Sequence, residues 1–108
     1  MSSLAEQFRV PGAEYSLMPF WFLNDRLDRG ELLRQMDDFR QKGIDGFVLH
    51  PRMGLPDDYE YLGEPFMSDV RFLVTEAHRR GMKVVLYDEG MYPSGSAHGL
   101  VVAGNPEF

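Results

Sequence analysis

Two three-residue stretches, Lys42-Gly43-Ile44 and Arg80-Gly81-Met82, most constrain what this chain can fold into. Each runs basic, glycine, apolar, and each joins a segment of helical period to a short apolar run. Glycine just past a helix end accepts the left-handed backbone that closes the helix. A basic residue before it meets the negative end of the helix dipole. The two joins lie about 38 residues apart, and a further apolar run precedes the first helix. The order is strand, helix, strand, helix, strand. Helices of this length serve as crossovers between parallel strands, nearly always right-handed. The expected fold class is α/β, a βαβαβ run.

The segments follow from pattern and punctuation. Residues 1–14 read as a leader with a turn at Pro11-Gly12. Residues 15–23 are short, apolar and aromatic, as in a buried strand; Pro19 demands an edge position or a bulge. Leu32, Leu33, Met36 and Phe39 draw one stripe on a helix over Glu31 to Lys42. Asp28 is its N-cap, Glu31 sits where a capping box needs it, and Gly43 follows the last turn. Ile44 to Leu49 is the second strand, closed by His50-Pro51-Arg52. Residues 53–66, with two prolines, two glycines and four acids, form a long loop. Ser68 can cap the second helix, whose apolar face is Val70, Leu73, Val74 and Ala77. Met82 to Tyr87 is the third strand, ended by Asp88-Glu89-Gly90. The tail, residues 91–108, is rich in Gly, Ser and Pro and lacks a long periodic segment. The chain divides into a leader (1–14), the βαβαβ run (15–90) and the tail (91–108), one segment over residues 1–108.

Composition bounds the function. With 44% apolar and 26% charged residues the chain is globular in character. At 108 residues it holds one modest core and falls far short of the roughly 250 residues of an eight-stranded α/β barrel. Eleven Lys and Arg against 17 Asp and Glu leave a net charge of −6, which argues against a nucleic-acid partner. Cys is absent, so disulfides and thiolate metal sites are excluded. No run approaches the ~20 apolar residues of a membrane span, and residues 1–7 lack signal-peptide character, so the expected location is cytoplasmic without a membrane partner.

Ligands of α/β folds bind at the C-terminal ends of parallel strands. The polar and aromatic residues there are the candidates: Trp21, Asn24 and Asp25 after the first strand, His50 and Arg52 after the second, and Tyr87, Asp88, Glu89 and Tyr92 after the third. Adjacent strand residues face opposite ways, so one of Asp88 and Glu89 faces inward; the sequence does not say which. The inward carboxylate either orients a hydroxyl or acts as acid or base, or else it caps backbone amides or pairs with Arg52. His50 either donates to a ligand or packs in the interior. Arg52 either grips an anion or closes a salt bridge. Trp21 either stacks on a sugar ring or belongs to the core. His50, His98, Asp88 and Glu89 match no metal-ligand spacing, and no cofactor motif is present.

Three blocks carry a resemblance: Pro19-Phe20-Trp21-Phe22-Leu23-Asn24-Asp25, Gly46-Phe47-Val48-Leu49-His50-Pro51-Arg52-Met53-Gly54-Leu55-Pro56 and Leu86-Tyr87-Asp88-Glu89-Gly90-Met91-Tyr92-Pro93-Ser94-Gly95. Together they resemble the N-terminal part of a glycoside hydrolase barrel, nearest to the α-L-rhamnosidase-like enzymes of glycoside hydrolase family 106. The likeness spans residues 19–106. It implies the first three strands of a (β/α)8 (TIM) barrel, incomplete here, and a carbohydrate substrate cleaved between two carboxyl groups. In many barrel glycosidases those groups follow strands four and seven, so the resemblance puts the catalytic pair beyond this chain. Asp88 and Glu89 then remain weak catalytic candidates and, with Trp21, Asn24, His50, Arg52 and Tyr92, substrate-binding ones. Calcium use in that family finds no recognisable cage here.

Two function classes follow. The first is the opening segment of a barrel glycosidase, inactive without the remainder of the barrel. The second is a small α/β module that binds carbohydrate or forms a homo-oligomer without catalysis, because an incomplete sheet has open edges. A Schiff-base aldolase is disfavoured, since Lys42 and Lys83 lie at strand starts.

Overall fold

The computed structural model describes residues 2–90 and 94–107. Three parallel strands form one sheet in the order β1-β2-β3: β1 is Phe20–Leu23, β2 Gly46–Pro51 and β3 Lys83–Leu86. Helices α2 (Arg29–Gln41) and α3 (Glu64–Arg79) connect them, α1 (Leu4–Arg9) precedes β1 and α4 (Leu100–Gly104) follows β3. The protein is mixed α/β with a parallel three-stranded sheet, in the expected order.

Both helix-to-strand joins close in the same way. Gly43 has φ +77° and Gly81 φ +69°, the left-handed region where a β-carbon is strained. After each glycine the chain returns a hydrogen bond to the last turn: Ile44 N donates to Phe39 O and Met82 N to Ala77 O, both at 2.9 Å. Each is the six-to-one bond of a Schellman end, which turns the chain directly into the next strand. Asp28 caps α2 as expected, accepting from Glu31 N at 2.8 Å. Glu31 does not complete the box; its carboxylate takes Arg34 and Gln35 instead.

Boundaries differ from the sequence reading: the second strand is Gly46–Pro51 rather than Ile44 to Leu49, and the third Lys83–Leu86 rather than Met82 to Tyr87. The first strand is only Phe20–Leu23. Pro19 precedes it, its carbonyl accepting from Val48 N at 2.8 Å while its ring leaves no N–H to carry the ladder further back. β1 is an edge strand, as proline demands. The second helix begins at Glu64, not after Ser68: Gly63 is its N-cap and Pro65 occupies its first turn, where the missing N–H costs nothing. Ser68 lies inside α3, and its hydroxyl accepts from Arg29 at 3.0 Å. The leader contains α1, closed by a Ser3–Glu6 capping box, and the tail contains the single-turn α4.

α2 and α3 pack on one face of the sheet. Trp21 and Leu23 of β1 and Phe47 and Leu49 of β2 meet Leu32, Met36, Leu73 and Ala77 in one cluster. Phe47, Met36 and Leu73 are fully buried; each side chain contributes about 1.5–3 kcal/mol relative to exposure. Arg80 ties the C-terminal end of α3 to α2 through Asp37 at 2.7 Å and to its own helix through Glu76 at 2.7 Å. Arg29 spans the other end, reaching Asp69 at 2.9 Å with its guanidinium over the Phe72 ring. Among the described residues no helix is long and apolar enough to cross a membrane.

Candidate functional site

Register assigns the faces. Phe20 pairs with Val48, Phe22 with His50, and Val48 with Val85. Side chains of paired and alternate positions share a face. Phe20, Phe22, Val48, His50, Val85 and Tyr87 therefore line the face opposite the helices. Phe20, Phe22 and Val85 stay 54%, 46% and 48% exposed there, whereas Val48 and His50 between them are buried. The rings pack on one another: His50 lies 5.6 Å from Phe20, 5.2 Å from Phe22 and 3.9 Å from Tyr87, centroid to centroid.

This face runs up to the C-terminal ends of β2 and β3. There a cleft of about 360 Å³ is lined by His50, Pro51, Arg52, Met53, Tyr87, Glu89 and Gly90. The linings of two clefts separate the two carboxylates that the sequence leaves open. Glu89 shares the phase of Val85 and Tyr87 and enters the cleft, where the Tyr87 hydroxyl donates to it at 2.8 Å. That bond, first, and burial, second, raise the Tyr87 phenol above its ordinary value. Asp88 turns to the α3 side, lining an apolar groove with Leu49, Phe66 and Leu86, and its carbonyl accepts from the Tyr61 hydroxyl. Arg52 lays its guanidinium 5.1 Å from the centre of the Phe22 ring, and its backbone N–H donates to Leu23 O at 2.9 Å.

A second cleft of about 490 Å³ adjoins the first and shares Pro51, Arg52, Met53 and Gly90 with it. Its other wall is the β2–α3 loop, with Asp57, Tyr59, Glu60 and Tyr61, and its far side is His98 and Leu100. The loop is held, despite its composition. Gly54, at φ +116°, lies so close to β1 that a β-carbon would stand 2.2 Å from Asn24 O. The Tyr59 hydroxyl bonds the Asp69 carboxylate, and burial together with that bond raises the Tyr59 phenol. The Tyr61 ring packs so closely over Gly90 that a β-carbon there would lie 2.9 Å from it.

Of the predicted site residues, His50, Arg52 and Glu89 come together. Trp21 does not join them. It is buried on the helix face, its indole N–H donating to Gln35 at 2.9 Å and its ring edge-on to Phe39 and Phe47. Asn24 lines a separate groove beside the N-terminal end of α2, and Tyr92 lies outside the described residues. The sequence reading missed Phe20 and Phe22, because Phe-Trp-Phe-Leu is apolar on both phases. Among the described residues no cluster of three or more His, Asp or Glu side chains is placed to hold a metal ion.

The cleft offers a guanidinium, a carboxylate oriented by a phenol, and aromatic faces beside them. That set suits a polyhydroxylated ligand: rings take its C–H faces and the charged groups its hydroxyls. Comparison with protein-family models, with curated proteins and with solved structures finds no match.

Proposed function

We propose that this chain is the opening segment of a TIM-barrel glycoside hydrolase, acting on glycosidic bonds such as those of α-L-rhamnosides within a larger catalytic barrel. The convergence of Arg52, Tyr87 and Glu89 at the C-terminal ends of β2 and β3, above an aromatic inner face, supports this reading most. Strand ends are where barrel enzymes carry their ligands. The helices lie on one side of the sheet and the aromatic face on the other, as a barrel wall requires. Glu89 is the only carboxylate among the described residues lining the inner cleft. A glycosidase needs two, so on this reading Glu89 binds sugar hydroxyls and cleavage belongs to later strands.

The test is to read the coding DNA past Phe108 and assay its product on p-nitrophenyl α-L-rhamnoside. In-frame strand–helix units and hydrolysis are the expected result. A stop codon there, with no L-rhamnose binding by the 108-residue chain, overturns the proposal. The half-exposed inner face and the edges of β1 and β3, unpaired among the described residues, favour a second reading, a carbohydrate-binding or self-associating module. Light scattering of the chain separates the two: a homo-oligomer supports the module, a monomer removes its self-associating form.

A further inference from the structure

His50 alone of the three histidines is enclosed: it is 6% exposed, whereas His78 and His98 are exposed. Phe20 and Phe22 of β1 stand edge-on to its ring, and Tyr87 lies against it from beyond β3. Its Nδ1 is shut off from solvent and has no hydrogen-bond partner among the described residues. A neutral imidazole tolerates this, because one nitrogen then carries only a lone pair. An imidazolium does not: both nitrogens become donors, and a cation must sit between apolar rings.

The charged groups around it do not remove that cost. Arg52, at the end of β2, opposes a second positive charge, and Glu89, beyond β3, favours one. β1 contributes only Phe20 and Phe22. Burial is the largest influence on the imidazole, Arg52 acts in the same direction, and together they outweigh Glu89 and make it harder to protonate.

We propose that His50 is a proton-operated latch on the inner face of the sheet: neutral, it holds Phe20, Phe22 and Tyr87 together, and on taking a proton from solvent it loosens them and the Tyr87–Glu89 arm at the cleft. The inference rests on packing and is independent of the glycan reading. Its direction is set by linkage. The unfolded chain protonates this histidine near the ordinary ~6.5 and the folded chain only at lower pH. Between those midpoints the unfolded state binds more protons, so stability is full above about pH 6.5 and declines as pH falls through that window.

The experiment follows the imidazole and ring resonances of the full chain by NMR from pH 8 to pH 5, with the chain in urea as reference. Urea unfolding at pH 7.5 and 5.5 accompanies it, for the wild type, His50→Phe and a His78→Gln/His98→Gln double variant. The His50 midpoint is expected below the unfolded reference, with the Phe20, Phe22 and Tyr87 ring signals moving at the same midpoint. The folded-to-unfolded ratio of the wild type and the double variant should fall about threefold or more between the two pH values, and that of His50→Phe should not. A His50 midpoint at or above the reference, or rings indifferent to it, overturns the proposal. So does a His50→Phe chain that keeps the wild-type decline. Should that variant fail to fold, the wild-type titration decides alone.

Discussion

The two faces of the sheet are built from similar residues and do different things. Trp21, Leu23, Phe47 and Leu49 are sealed against α2 and α3. Phe20, Phe22 and Val85, one position out of phase, remain about half exposed. Both faces are aromatic and apolar, so hydrophobicity does not separate them; cover does. The helix face spends its side chains on burial. The inner face keeps its rings within reach of a ligand, a partner or solvent protons, and leads to Arg52 and Glu89.

The contrast is broken most directly by truncation on each side. Phe47→Ala should cost about 3–5 kcal/mol, because Phe47 is fully buried and leaves a cavity. Phe20→Ala, half exposed on the other face, should cost about 1 kcal/mol, mostly lost ring contacts. Urea unfolding of the two variants measures the difference, and equal losses would mean that something covers the inner face too.

The next effect concerns the loop that walls the second cleft. Gly54→Ala puts a β-carbon against Asn24 O at a strained positive φ and should destabilise by about 2–3 kcal/mol. Gly43→Ala has open space around it and pays only the left-handed backbone, about 1 kcal/mol. Thermal unfolding should rank them in that order. Tyr59→Phe removes the bond to Asp69 and should cost about 1 kcal/mol, with faster proteolysis in residues 53–60 than elsewhere; unchanged cleavage would show the loop to be held by Gly54 and Tyr61 alone.

The smallest effect lies on the outside of the helix layer. Arg34 and Gln35 hold the Glu31 carboxyl down at about 2, and Arg80 holds Asp37 below its ordinary value. Carboxyls lowered by folding stabilise above their unfolded midpoints and lose that contribution as pH falls through their folded ones. Stability should therefore decline between about pH 5 and pH 2, and Glu31→Gln should flatten the decline slightly, since the pair is exposed and screened. Acid titration by circular dichroism reads this.

The element order could be read from the sequence because it depends on local chemistry. Gly43 and Gly81 end helices wherever they occur in such a pattern, and Asp28 caps α2 with its own side chain. Ser68 misled because Gly63 and Pro65 open α3 a turn earlier, a start with no side-chain cap to announce it. The β2–α3 loop reads as irregular, and its order comes from Tyr59, Tyr61 and Gly54 meeting residues 10 or more positions away. In the site, His50, Arg52 and Glu89 were recognisable as strand-end groups, whereas the aromatic inner face was not.

Sequence alone determined the α/β order, the C-terminal helix ends at Gly43 and Gly81 and the set of polar groups at the strand ends, since these follow from propensity, capping and period along the chain. Only the tertiary structure decided which face each strand residue takes. A strand apolar on both phases fits either way round. Packing α2 and α3 on Trp21 and Phe47 chose the phase, and so buried Trp21 in the core, set Glu89 rather than Asp88 in the cleft, and enclosed His50 between rings.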